Sequence, residues 1–171
     1  MDTTAGPMTN DDTLHDFFDD ALVTSGDVLY RAVSPNLIDD WDSFTGRDDE
    51  IPSRVWQDQR AGVAASWGLR PCASVAVARL LDEHNCDISR WLEASFAPEY
   101  GVVAINACDA RQATSPGGQQ VPQGLMLFPT INEPWHAVVW SKRGPKRNKL
   151  EMKALAVISR WVKVPVWDSA S

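Results

Sequence analysis

Cysteine is scarce in this chain of 171 residues: Cys72, Cys86 and Cys108 are an odd number with no close spacing. That excludes a disulfide framework and a paired-cysteine zinc site. Histidine is equally scarce. His15, His84 and His136 lie far apart, with no acidic residues at matching intervals, so no metal site is expected. Positive charge is missing from the first 27 residues, which carry seven aspartates and no Lys or Arg, so a secretory leader is not expected. No apolar run approaches the length of a membrane span. Gly117-Gly118 is followed by no Gly-Lys-Ser/Thr, which excludes a phosphate-binding loop. These absences lead us to expect a cytoplasmic protein with neither metal nor cofactor.

What the chain does have is apolar content, at 44%, and eight tryptophans, enough for a real core in one domain. Its net charge of −7 is unevenly spread. Residues 1–60 hold 14 acids against four bases, whereas residues 141–163 hold eight bases against Glu151 alone. Such a split argues against a general nucleic-acid binder, whose basic charge would dominate the domain. It predicts acidic and basic parts that complement each other within the molecule.

Hydrophobic periodicity outlines the elements. Residues 1–10 are small and polar and are expected to be loose. Leu14, Phe17, Phe18, Ala21 and Leu22 recur at helical spacing and predict a helix over 13–23. Val28–Val33 alternates as a strand, with Leu29, Arg31 and Val33 on one face. Val55-Trp56 suggests a short strand. Pro71–His84 reads as a helix opened by Pro71, and 89–97 as another with Asp87 as its N-cap. Gly101–Asn106 is a strand buried on both faces, residues 111–124 a Gly- and Gln-rich mobile loop, and 125–128 and 135–140 are strands. An amphipathic helix over 150–161 and an edge strand at 162–167, limited by Pro165, close the chain. Runs of like elements predict an α+β single domain over 11–171, with a small mixed or antiparallel sheet of about five strands packed by three to four helices.

Two sets of residues could carry chemistry. A thiol becomes nucleophilic at a helix N-terminus beside an imidazole, and Cys72 in the first turn of its predicted helix, with His136 at the start of a later strand, has that layout. It is the order found in papain-like thiol hydrolases. The second set starts from Arg31. The run Leu29-Tyr30-Arg31-Ala32-Val33-Ser34-Pro35 resembles the opening strand of ADP-ribosyltransferase-like folds, including the NAD-consuming RES toxins. The resemblance implies that Arg31 holds the phosphate or ribose of NAD, Ser53 positions the nicotinamide end, and Glu133 stabilises the oxocarbenium charge. The alternative for Arg31 is a structural ion pair. A basic connector, with Lys142, Arg143, Lys146, Arg147 and Lys149, is the strongest electrostatic feature and a candidate docking patch for a protein; nucleic acid is the less favoured partner.

Together, the Leu-Tyr-Arg strand at 29–35, Ser53–Asp58, the Ser74-Val75 pair and the Pro-rich turn into a histidine strand, Pro129–Trp140, resemble a group of uncharacterised bacterial proteins. That resemblance implies a bacterial cytoplasmic origin and a place in a multigene defence or toxin-type system. With the split charge and the tryptophan excess, it leads us to expect an accessory interaction domain working beside a larger protein partner. A thiol hydrolase and an NAD-using enzyme are the alternatives.

Overall fold

A computed structural model of the chain describes residues 17–59, 66 and 68–167. It is an α+β fold on one antiparallel sheet of six strands in the order β4-β5-β2-β1-β3-β6. The strands are β1 (Val28–Val33), β2 (Ala73–Val77), β3 (Gly101–Asn106), β4 (Gln123–Leu127), β5 (His136–Ser141) and β6 (Arg160–Lys163). Four α-helices occur among the described residues: α1 (Ala78–Glu83), α2 (Ile88–Ser95), α3 (Ala107–Arg111) and α4 (Lys149–Val157).

Alternation along the strands sorts the side chains into two layers. Leu29, Val33, Val75, Val77, Val103, Ile105, Leu125 and Val139 form the main core with α3, α4 and the 3-10 turn Ser53–Trp56. The opposite face carries Ala76 and Val102 under Leu81, Trp91 and Leu92 of α1 and α2. Beside them Cys72, Met126 and Val138 pack with Leu69, Phe17, Phe128 and Trp140. Asp87 caps α2 by accepting from the Arg90 N–H, and Asn148 caps α4 in a reciprocal box with Glu151.

The helix expected over Pro71–His84 is half strand. Residues 73–77 occupy the sheet between β5 and β1, and the helix begins at Ala78. Small and β-branched residues suit a strand packed on both faces, and that burial overrides the helical spacing of Ala73, Val77 and Leu80. Val55 and Trp56 lie in a 3-10 turn and not in a strand. Of the helix expected over 13–23, residues 13–16 lie outside the described residues, as do residues 1–10 and His15. Residues 17–23 are extended and turned, with Phe17 stacked on Trp140 at 5.3 Å. The segment 111–124 folds back through a bridge between Thr114 and Gln120 and buries Ala113 and Val121.

Acidic residues close both edges of the sheet. At β4, the N–H groups of Leu125 and Leu127 donate to the carboxylates of Asp19 and Asp20, and the Asp20 N–H donates to the Leu125 carbonyl. At β6, the Trp161 N–H donates to Asp48 Oδ1 at 2.7 Å. Occupied edge groups and fixed negative charge both oppose pairing with another chain. Part of the acidic N-terminal half thus serves the sheet itself.

Gly124 lies directly under the Trp140 ring, and a Cβ there would come 2.0 Å from Trp140 Cε2. Gly124→Ala is expected to cost about 1–3 kcal/mol through forced repacking of the indole. Gly26→Ala, with nothing within 4 Å of the new methyl, should stay within about 0.5 kcal/mol of wild type. Urea denaturation of the two variants checks the pair; equal midpoints would refute the packing argument.

Candidate functional site

The two central strands stay together only briefly. β1 pairs with β3 over six residues, but with β2 only at Leu29 with Val77 and Tyr30 with Ala76. Where the ladder stops, the Arg31 side chain takes its place. Arg31 Nη1 donates to the Ser74 carbonyl at 2.6 Å, Nε to the Val55 carbonyl at 2.6 Å and Nη2 to the Gln57 carbonyl at 3.1 Å. The Trp56 ring lies 6.0 Å from the guanidinium carbon. A guanidinium has five N–H donors, so among the described residues this arrangement leaves two over. Every one of these acceptors is neutral, and among the described residues Arg31 forms no ion pair. Burial, and then repulsion by Arg147, push its pKa down to about 10, with Asp58 acting the other way. Arg31 therefore remains charged at neutral pH, and the structural ion pair considered for it is not formed among these residues.

Ser74 joins Arg31 to His136. Its carbonyl accepts from Arg31, and its hydroxyl, on the face of the sheet that carries Ala76, is bonded to His136 Nε2. The register makes this a diagonal pair, because Ser74 is opposite Val138 and His136 is opposite Ala76. His136 Nδ1 lies 2.7 Å from the Phe128 carbonyl, which can only accept, so the proton is on Nδ1. Nε2 then accepts from the Ser74 hydroxyl. His136 is 4% exposed, and burial lowers its pKa below the ordinary 6.5, opposed by the Phe128 carbonyl and the charge of Glu133. A neutral imidazole with one tautomer and a hydroxyl on its lone pair is the arrangement of a nucleophile and its base.

The depressed imidazole has a consequence for stability. The unfolded chain binds this proton near pH 6.5 and the folded one only at lower pH, so acid favours unfolding. Stability should be level above about pH 7 and fall below 6.5, by at most about 1.4 kcal/mol per pH unit, until His136 protonates in the fold. Denaturation between pH 5 and 8 with His136→Gln, which should flatten this slope, checks it.

The other candidates are placed differently. Cys72 is wholly buried just before β2, with no helix start beneath it. Burial, and then the Asp58 carboxylate, push its thiol up to about 12. The register carries Cys72 opposite Trp140 and His136 opposite Ala76, a stagger of four residues or about 13 Å along the sheet. Both activating features expected for this thiol are absent from its position. Glu133 sits in the turn before β5, where its carboxylate accepts from Ser95 Oγ at 2.7 Å. Ser53 opens the 3-10 turn that supplies the Val55 carbonyl to Arg31.

The basic connector is divided. Arg147 is not on the surface: its side chain is fully buried and bonded to Asp58, Gln123 and the carbonyls of Trp56 and Val139. An arginine in a Lys/Arg-rich loop reads as solvated, and only the tertiary fold brings Asp58 to it. Lys142 pairs with Asp19 at 3.0 Å. Arg143, Lys146 and Lys149 remain exposed. The two pairs from this connector to Asp19 and Asp58 show the acidic and basic parts complementing each other within the molecule.

Ser74, whose hydroxyl is bonded to His136, was passed over by residue-by-residue reading. Its one signal was the Ser74-Val75 pair in the wider resemblance, masked by the helical spacing around it. Among the described residues no group of three or more His, Cys, Asp or Glu could hold a metal ion, and no helix is long and apolar enough to cross a membrane. Compared with known protein families, curated proteins and solved structures, the chain shows no significant match.

Proposed function

We propose that this protein is an NAD-using enzyme of the ADP-ribosyltransferase-like kind, with its site where β1 and β2 part. One observation carries the reading: Arg31, on the first strand, is oriented by the carbonyls of Val55, Ser74 and Gln57, keeps its charge and, among the described residues, leaves two N–H groups uncommitted. A half-buried cation with unused donors is an anion subsite, and a dinucleotide's phosphates are suited to a guanidinium fork. NAD is here a substrate and not a resident cofactor. Calorimetric titration with NAD, together with chromatographic assay of released nicotinamide, tests the proposal. Binding in the micromolar to millimolar range with nicotinamide release is expected; neither binding nor release would end it.

The reading as an accessory domain beside a larger partner draws on a different surface. Val162, Val164, Val166 and Trp167 are exposed at and beyond β6. Trp167 contacts Trp41, which with Phe44 and Trp161 forms one aromatic cluster. A continuous exposed apolar strip is a feature of interaction surfaces. Light scattering over a range of concentrations, and co-purification with the products of neighbouring genes, test this reading. A monomer throughout that retains none of those products would remove it.

A further inference from the structure

Resting on the reading as an accessory domain, we propose that the apolar strip at β6 and the acidic loop beside it form one docking surface for a partner protein, whose bound segment carries apolar residues flanked by Lys or Arg. Val162, Val164, Val166 and Trp167 are 41%, 38%, 56% and 55% exposed. The loop after β1 lies along this strip. Gly46 packs on Val164, Phe44 on Trp161, and Trp41 on both Phe44 and Trp167. Apolar side chains of the strand end and of the loop therefore form a single patch.

Charge identifies the occupant. Residues 39–54 carry Asp39, Asp40, Asp42, Asp48, Asp49 and Glu50 against Arg47 and Arg54. Arg54 pairs with Asp39 at 2.6 Å and Arg47 with Asp49 at 3.1 Å. Six carboxylates against two guanidiniums leave four negative charges. On β6 the Lys163 ammonium is committed to the carbonyls of Pro98 and Tyr100, and exposed Arg160 still leaves the surface net negative. Leu37, Ile38 and Phe44, with Asp39, Asp40 and Glu50, line a pocket that continues the patch. Apolar walls with carboxylates fit the alkyl stem and the charged head of a Lys or Arg side chain. A second copy of this chain would bring the same carboxylates face to face in an isologous contact. An anionic membrane surface is repelled by them in the same way. A basic, apolar segment of a different protein meets both the strip and the charge.

The test uses the whole chain and two fluorescently labelled peptides, one built of leucine and lysine and one with glutamate in place of each lysine. Fluorescence anisotropy should show saturable binding of the basic peptide, weakening as ionic strength rises past about 0.1 M, and none of the acidic one. Hydrogen exchange should show new protection over residues 39–50 and 161–167. Trp167→Ser should weaken binding about tenfold or more. Asp40→Asn with Asp42→Asn should weaken it about threefold to tenfold, with folding of both variants checked by thermal melting. Binding of neither peptide, equal binding of both, protection on another face, or capture of the chain by phosphatidylserine vesicles overturns the inference. So does undiminished binding in both folded variants. The first four readouts come from the wild-type chain and do not depend on the variants folding. A neighbouring gene product that co-purifies but protects another face overturns the inference and leaves the accessory-domain reading standing; failure of that reading shows separately, as a monomer that retains no such product.

Discussion

Arg147→Ala is expected to cost about 3–5 kcal/mol, the largest effect of any single substitution considered for this fold. Arg147 donates to Asp58 Oδ1 at 2.5 Å, to Gln123 Oε1 and the Trp56 carbonyl at 3.0 Å, and to the Val139 carbonyl at 2.8 Å. Its backbone N–H bonds the other Asp58 oxygen. Truncation leaves the Asp58 side chain, 7% exposed, without its counter-charge. It also frees Gln123, which shares Glu151 Oε1 with Ser141. A domain of this size has about 5–15 kcal/mol in hand, so the variant should lie near the unfolding threshold. Arg147→Lys should recover little, since an ammonium cannot reproduce the planar fork. The double variant Arg147→Met with Asp58→Asn should lose less than the sum of the singles, because it removes the unpaired charge. Urea denaturation checks the set; an Arg147→Ala midpoint close to wild type would mean that water replaces the lost donors.

The second large effect is on ligand binding. Arg31→Lys should weaken NAD binding by about 100-fold or more, because two charge-assisted hydrogen bonds are worth about 1.5–3 kcal/mol each and 1.4 kcal/mol is tenfold. A lysine also cannot serve the carbonyls of Val55, Ser74 and Gln57 together. Some loss of stability is therefore expected as well. Thermal melting and calorimetry on the same preparation separate the two. Undiminished NAD affinity in a folded Arg31→Lys protein would remove Arg31 from the site.

Several elements were readable because their evidence is local. The alternation of Val28–Val33, the apolar run at 101–106 and the Asp87 cap each depend on residues within a few positions, and each is observed. The strand expected over 135–140 is observed one residue further on, as β5 at His136–Ser141. The failure at 71–84 has the opposite cause. Ala73, Val77, Leu80 and Leu81 satisfy helical spacing, while burial between β5 and β1, which no local window contains, makes the first half a strand. That error hid Ser74 and gave Cys72 a helix terminus it does not have.

The sequence by itself determined the class of fold and most of the strands, and it marked Arg31 and His136 as candidates. Each was assigned to a separate chemistry. Tertiary structure decided that β2 runs between their strands, with the Ser74 carbonyl accepting from Arg31 on one face of the sheet and the Ser74 hydroxyl bonded to His136 on the other. It also decided that Cys72 is buried ahead of a strand and not at a helix terminus, and that Arg147 is a buried clamp. Periodicity reports which face of an element is apolar. Which strands lie side by side, and therefore which polar groups meet, depends on long-range pairing between segments tens of residues apart, and no stretch of sequence carries that alone.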